Sequence, residues 1–322
     1  MLRFAFGLWL LSSLPCFAGY GATVSPDEVR RDFTYTRAIV TGTVEGFTEY
    51  LPVSSTGHMI LSDKYLLHVS VIPDMKVEGV TDRKGRPVNW GRVNDDYIVI
   101  IQLGAILAVF AAFFGRIRDL LAGLCRGMRA SIDLALAILV AFMPAALLGF
   151  LFKDVITVHL FSVEVVAAAL LVGGLVILVA EHLLPKKSSG SADEVAAISW
   201  RAALTVGLCQ CLALIPGTSR SLATILGGRV AGLSHGAATE FSFLIGLLTL
   251  SAASIYKMWA LGPALSQVYP AGPASVGLLV AAVTAFVSVK WLVSYVSRNG
   301  LGVFAWYRIA LGGTILAVMA LK

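Results

Sequence analysis

Glu45 and Glu49 are four residues apart, so on a helix both carboxylates lie on one face. They sit within an apolar run. A charge at bilayer depth costs about 2.5–3.5 kcal/mol on insertion scales, and two like charges side by side cost more unless a cation lies between them or one is protonated. Two chemistries meet that condition: a divalent-metal site or a coupled acid/base pair. The bland alternative is a pair of carboxylates solvated at headgroup level. Just downstream, Pro52 and Val53 lead to Ser54, Ser55 and Thr56, and then to His58. Hydroxyls at such a turn commonly cap the free N–H groups of the next helix. A histidine three residues beyond Ser55 can approach its hydroxyl within one helical turn, and histidine is the common base for activating a serine. A helix N-terminus at that place also favours an anion.

A second constellation, "PGTSRS", runs from Pro216 to Ser221. Arg220, flanked by Ser219 and Ser221, has the rigid donor fork that matches phosphate oxygens. The bland alternative is an arginine snorkelling to the interface from a helix break. Carboxylates for a cation, a serine with a histidine, and an arginine among hydroxyls form a phosphoryl-transfer set. If the glutamates form a metal site rather than an acid/base pair, carboxylates together with substrate phosphate are the usual way to hold Mg²⁺ or Ca²⁺. In an intramembrane groove the substrate would have a phosphate head and a lipid tail.

These residues need elements that keep polar groups at membrane depth. Of 322 residues, 57% are hydrophobic and only 14% charged, and the mean hydropathy is +0.83. A soluble domain carries about a quarter charged residues. With repeated apolar runs of about 20 residues, this composition indicates an all-α polytopic membrane protein. The net charge of +6 comes from Lys and Arg clustered in short loops. That is an orientation signal, and nucleic-acid binding is a poor alternative. The four cysteines, Cys16, Cys125, Cys209 and Cys211, have no zinc spacing and read as small apolar fillers.

Residues 1–20, with Arg3, "FAFGLWLLSSL" and "CFA" before Gly19, read as a signal peptide or an extra N-terminal hydrophobic segment. Residues 21–37 are polar. A first membrane repeat spans 38–183 and contains an extramembrane insert at 69–96, in which "DRKGRPVNW" has the turn chemistry of a small hairpin. A charged linker at 184–200 precedes a second repeat at 201–322. Full spans are expected at 97–115, 131–152, 161–183, 237–257, 273–295 and 303–321, about six in all. The apolar pattern from Ala38 reaches only Leu51 before breaking at Pro52, and a second broken segment runs from Arg201 to about Leu226. Such pieces are too short to span and predict two re-entrant helix hairpins. Gly42 precedes Glu45 as Gly207 precedes Gln210, and a proline and a hydroxyl-rich turn follow in both. Matched interrupted helices predict inverted-topology repeats with a midplane site between them.

Arg116, Arg118, Arg126 and Arg129 place the loop at 115–130 in the cytoplasm. Alternation then puts Lys186 and Lys187 inside, and the insert and the mature N-terminus outside, which a cleaved signal peptide would deliver. Residues 63–96 hold six Lys or Arg against six Asp or Glu, the balance of a folded excursion.

At these residues the sequence resembles the undecaprenyl-diphosphatase family, also called the bacitracin resistance proteins. "EGFTEYLPVSSTGHMIL" matches the family's first motif and "PGTSRSLAT" its second, while "IQLGAILAV" (Ile101 to Val109) and "EFSFLIG" (Glu240 to Gly246) also fit. The resemblance covers about residues 38–321. It implies removal of the terminal phosphate of undecaprenyl diphosphate, recycling the lipid carrier for peptidoglycan, with a site toward the outer side of the bacterial inner membrane and a homodimeric assembly. It also implies Ser55 as nucleophile, or an activated water in its place, with His58 as base or proton donor and Glu49 among the catalytic groups. Glu45 and Glu49 would hold Mg²⁺ or Ca²⁺. Ser54, Thr56, Ser219, Arg220, Ser221 and Thr224 would bind the diphosphate. The sequence departs from the family in having Leu222 where glycine is usual after "SRS", a bulky residue expected to restrict backbone approach to the phosphate. It also lacks a proline in the span after Glu240, and the insert and the N-terminal segment are additions. A polar-lipid flippase on the same inverted repeats is the alternative, and phosphate release separates the two readings.

Overall fold

The structure, a computed structural model, describes residues 23–67, 74–152, 155–156, 160, 162–185 and 192–321. The signal-peptide reading of 1–20 and the pair Lys186-Lys187 lie outside the described residues. The chain enters through β1 (Thr23–Val24) and α1 (Pro26–Asp32), which Ser25 and Glu28 open with a reciprocal capping box. α2 (Tyr35–Thr48) follows, capped by Thr34. Its length of about 21 Å falls short of the roughly 30 Å of bilayer hydrocarbon. Pro52 forbids continuation, because it offers no N–H and clashes with the preceding turn. α3 (Ser55–Leu61) restarts the chain and ends in a π-helical turn at Ser62–Leu66.

β2 (Lys76–Thr81) and β3 (Pro87–Asn89) form the hairpin expected around "DRKGRPVNW". The sheet order is β1-β2-β3, parallel between the first pair and antiparallel between the second. α4 (Trp90–Ala112) begins earlier than the expected 97, because Asn89 caps it and its polar first turns find partners. Arg92 pairs with Asp96 at 3.4 Å, and Lys257 reaches the same carboxylate at 2.9 Å. α5 (Phe114–Cys125) is a helix where a loop was expected. Then come α6 (Arg129–Leu151), α7 (Val163–Leu183) and the short α8 (Ala192–Ala196).

The second interrupted segment is α9 (Trp200–Gln210), a 3₁₀ turn at Cys211–Leu214, and α10 (Arg220–Val230). α11 (His235–Leu261), α12 (Ala264–Val268), α13 (Ala271–Asn299) and α14 (Gly302–Ala320) complete the chain. Among the described residues six helices, α4, α6, α7, α11, α13 and α14, are long and apolar enough to cross a membrane. The protein is therefore an all-α polytopic membrane protein, with a small extramembrane sheet.

Each hairpin lies on a full span through glycine. A Cβ at Gly42 or Gly46 would run into the α13 backbone at Gly277 and Ala281, and one at Gly207 would run into the α6 backbone at Ala141. One apolar core joins both hairpin tips, with Tyr50 and Val53 from the first and Leu222 and Ile225 from the second packed around Phe241 and Phe243. A second core builds the extramembrane cap from Val24, Val29, Val77, Val88, Leu261 and Val268, and takes in Met59 of α3. The cap thus leans on the first hairpin. Lipid-facing side chains such as Leu136, Leu147, Val176 and Val283 leave the outside of the bundle apolar.

Candidate active site at the hairpin tips

Ser54 and Ser219 have φ of 74° and 77°, and among the described residues they are the only non-glycine positions with positive φ. Such backbone costs of order 1–3 kcal/mol and persists where the surroundings enforce it. Each serine is the N-cap of the returning helix: Ser54 Oγ accepts from the Gly57 amide at 3.3 Å and Ser219 Oγ from the Leu222 amide at 3.3 Å. The turns aim the following residues, Ser55 and Arg220, into one cavity of about 140 Å³. Ser54, Ser55, Thr56, Glu49, Ser219 and Arg220 line it, with Gln102 of α4 and Gly217.

Ser55 Oγ donates to Glu45 Oε2 at 2.7 Å. Glu45 is wholly buried, one turn before Glu49 on α2, and its Oε1 has no hydrogen-bond partner. Arg220 donates through Nη2 to Glu49 Oε1 at 3.1 Å and stands over the Tyr50 ring, 5.1 Å from its centroid. A Cβ at Gly246 would overlap its guanidinium, so the glycine of "EFSFLIG" makes room for the arginine. This pair crosses between the two hairpins. The arginine therefore does not snorkel; its side chain is 10% exposed.

The histidine departs from expectation. His58 makes no hydrogen bond to Ser55: Nδ1 bonds the Ser54 carbonyl at 2.7 Å and Nε2 bonds the Tyr307 hydroxyl at 2.5 Å. On a helix the ring at the fourth position from Ser54 falls back on that residue's carbonyl, and the serine hydroxyl turns instead to α2. His58 does not line the polar cavity. Ser221 and Thr224, placed with the diphosphate by resemblance, are also set back from it. Ser221 donates to the Leu51 carbonyl at 2.8 Å, and Thr224 bonds Ser242 at 2.6 Å. Leu222, which was expected to crowd the phosphate approach, is 2% exposed and points into the shared core instead.

Two residues escaped the sequence reading. Gln102 is the amide within "IQLGAILAV"; its signals were that segment's fit to the family and a lone polar side chain in an apolar span. Arg308 of α14 is wholly buried and donates to the carbonyls of Pro52 at 3.1 Å, Gly217 at 2.9 Å and Ala169 at 3.0 Å. It ties both breaks to α7. Nothing near it in sequence suggests this.

The donor set suits a hard cation. Glu45 Oε1 is an orphaned buried carboxylate oxygen beside Glu49, which would hold Mg²⁺ or Ca²⁺ only with help, since no group of three His, Cys, Asp or Glu gathers anywhere among the described residues. Phosphate oxygens and water would supply the remaining ligands.

Residues 38–314 match the family described as Bacitracin resistance protein BacA. The chain is 43% identical over 281 residues to Undecaprenyl-diphosphatase 2 of Rhodospirillum rubrum, covering 87% of this chain and 93% of that protein. It is 44% identical over 281 residues to Undecaprenyl-diphosphatase 1 of Chromobacterium violaceum, covering 87% and 94%. It is 39% identical over 289 residues to the Undecaprenyl-diphosphatase of Pseudomonas syringae pv. tomato, covering 88% and 94%. The match takes in both hairpins, both strained serine turns and the arginine that joins them, and the chain belongs to the bacitracin resistance protein BacA family.

Proposed function

We propose that the protein hydrolyses undecaprenyl diphosphate to undecaprenyl phosphate and inorganic phosphate. The observation that carries this reading is the meeting of Ser55, hydrogen-bonded to Glu45, with Arg220, salt-bridged to Glu49, at one cavity built from both hairpin tips. The relatives' shared diphosphatase name supports the same substrate, and nothing in the geometry favours the flippase alternative.

Arg220 and the amides at the start of α3 and α10 receive the terminal phosphate, where a fixed cationic fork is worth most in a site shielded from water. Ser55 Oγ attacks that phosphorus and passes its proton to Glu45, 2.7 Å away. The bond to the bridging oxygen breaks and undecaprenyl phosphate leaves. Water then hydrolyses the phosphoserine, with Glu45 again handling the proton. A divalent cation held by Glu49 and the free oxygen of Glu45 would neutralise charge on the diphosphate. His58 holds the turn that aims Ser55, through the Ser54 carbonyl. Ser54, Thr56 and Ser219 offer hydroxyls to the phosphate oxygens. Ser221 and Thr224 hold the second turn from behind. The site faces the outer side of the inner membrane in the orientation set by the arginines of 115–130, and the protein works as a homodimer.

The test is phosphate release from undecaprenyl diphosphate by purified protein, with and without chelator. Turnover that chelator stops, and that Ser55→Ala abolishes, is expected. No phosphate from the parent protein sinks the reading.

A further inference from the structure

A second cavity lies along α3. It is an apolar groove of about 470 Å³, lined by Val44 of α2, His58 and Leu61 of α3, Leu66 of the π-helical turn, and Leu311 and Ile315 of α14. α3 is a wall common to both cavities. Ser55 and Thr56 at its start line the polar one, and His58 and Leu61 further on line the groove. About one helical turn, roughly 5 Å, separates Ser55 from His58. At that boundary the His58 ring stacks on Tyr307, with centroids 5.7 Å apart and planes at 8°. Leu66 is 67% exposed, so the groove is open at its far end.

Resting on the diphosphatase reading, we infer that this groove holds the head-proximal part of the substrate's prenyl chain while the diphosphate occupies the polar cavity. A single C–O bond joins the charged end of such a lipid to its apolar chain. The surroundings of a bound diphosphate must therefore offer the first isoprene units apolar surface, from protein or from lipid, within a few ångströms, because each Å² of chain held against water would forgo about 25 cal/mol. The groove does so on the same helix. Its volume is far below that of a whole undecaprenyl chain, so the remainder runs into the bilayer. Discrimination then acts on the first isoprene units, and total length matters little.

Two measurements test this. The full-length protein in detergent is illuminated with a farnesyl diphosphate analogue carrying a diazirine on its second isoprene unit, and labelled peptides are mapped by mass spectrometry. Label on residues 61–66 and 311–318, cut at least about fivefold by excess undecaprenyl diphosphate, is expected. Label spread over the lipid-facing sides of α6 and α7, or not competed, overturns the inference, as does a groove left unlabelled because a second copy of the chain covers it. In parallel, Thr314→Trp, at a position of α14 that also lines the groove, should raise KM for undecaprenyl diphosphate about tenfold with kcat within about twofold. Val287→Trp, on the exposed side of α13, should change neither. An unchanged KM in Thr314→Trp overturns the inference. A parent that releases no phosphate defeats the diphosphatase reading whatever the label map; a parent that releases phosphate while label falls elsewhere defeats the groove alone.

Discussion

Ser54 and Ser219 stand at the same place in the two hairpins, each with positive φ and each capping the helix that follows. The next residue is Ser55 in one and Arg220 in the other. The same offset of 165 residues pairs Gly42 with Gly207 and Glu45 with Gln210. Gln210 is as buried as Glu45 and neither lines the cavity, but the Gln210 amide donates to the Ala141 carbonyl at 3.5 Å. Glu45 instead accepts from Ser55. The repeat supplies one backbone twice, and side-chain divergence makes one copy acidic and nucleophilic and the other cationic. Attraction between Glu49 and Arg220 then holds the unlike copies together, which two identical tips would not do.

This division of labour can be broken from either side. Ser55→Ala should lower turnover by about a thousandfold or more, measured as phosphate release with folding checked by circular dichroism. Arg220→Ala should cost about 10²–10³-fold in kcat from the other tip. A loss below tenfold in either would remove that tip from the chemistry.

His58→Gln distinguishes a base from a positioning group. If His58 only holds the Ser54 turn, the loss should stay near a hundredfold, the cost of a misplaced reacting group. A loss equal to that of Ser55→Ala would assign it the proton instead.

Gln210→Glu makes the second hairpin resemble the first. A carboxylate facing the Ala141 carbonyl at 1% exposure has no donor, and should cost about 3 kcal/mol on insertion scales. The check is thermal unfolding in detergent, and an unchanged midpoint would mean that the two sites are electrostatically equivalent.

The smallest effect concerns the cap, which rests on the first hairpin through Met59; among the described residues its core takes in no side chain of the second. Burial pushes the Asp82 carboxyl up, but hydrogen bonds from Arg86, Arg92 and nearby amides outweigh it and hold the group well below the ordinary carboxylate range. A depressed folded pKa contributes stability above the unfolded value, near 3.9, and loses it as pH falls through the folded value. Asp82→Asn should cost about 1 kcal/mol at neutral pH and remove that acid sensitivity. Limited proteolysis across pH 2 to 7 would show it. Equal loosening of both hairpins at low pH would contradict a cap tied to one of them.

The spans were legible because an apolar run of bilayer length has one stable solution, a helix that satisfies its own backbone. The hairpins were legible because Pro52 and Pro216 stop helices too short to cross. The start of α4 was not: Arg92, Asp95 and Asp96 read as loop, and only Lys257, far along the chain, shows how part of that charge is held in a helix. At the site, Glu45, Glu49, Ser55 and Arg220 stood out as reactive groups in an apolar setting. Their pairing did not. The expected partner of Ser55 was His58, yet the serine hydroxyl bonds a residue ten positions earlier, on the opposite arm of the hairpin.

From residue types and spacing alone came the membrane class, the two breaks and the inventory of polar groups, because burial cost and backbone satisfaction act locally along the chain. Which carboxylate meets the serine, which meets the arginine, where His58 turns, and the three carbonyls gathered by Arg308 depend on how two hairpins and α14 cross in space. Those contacts span up to 256 positions of sequence, a separation over which no local pattern carries information.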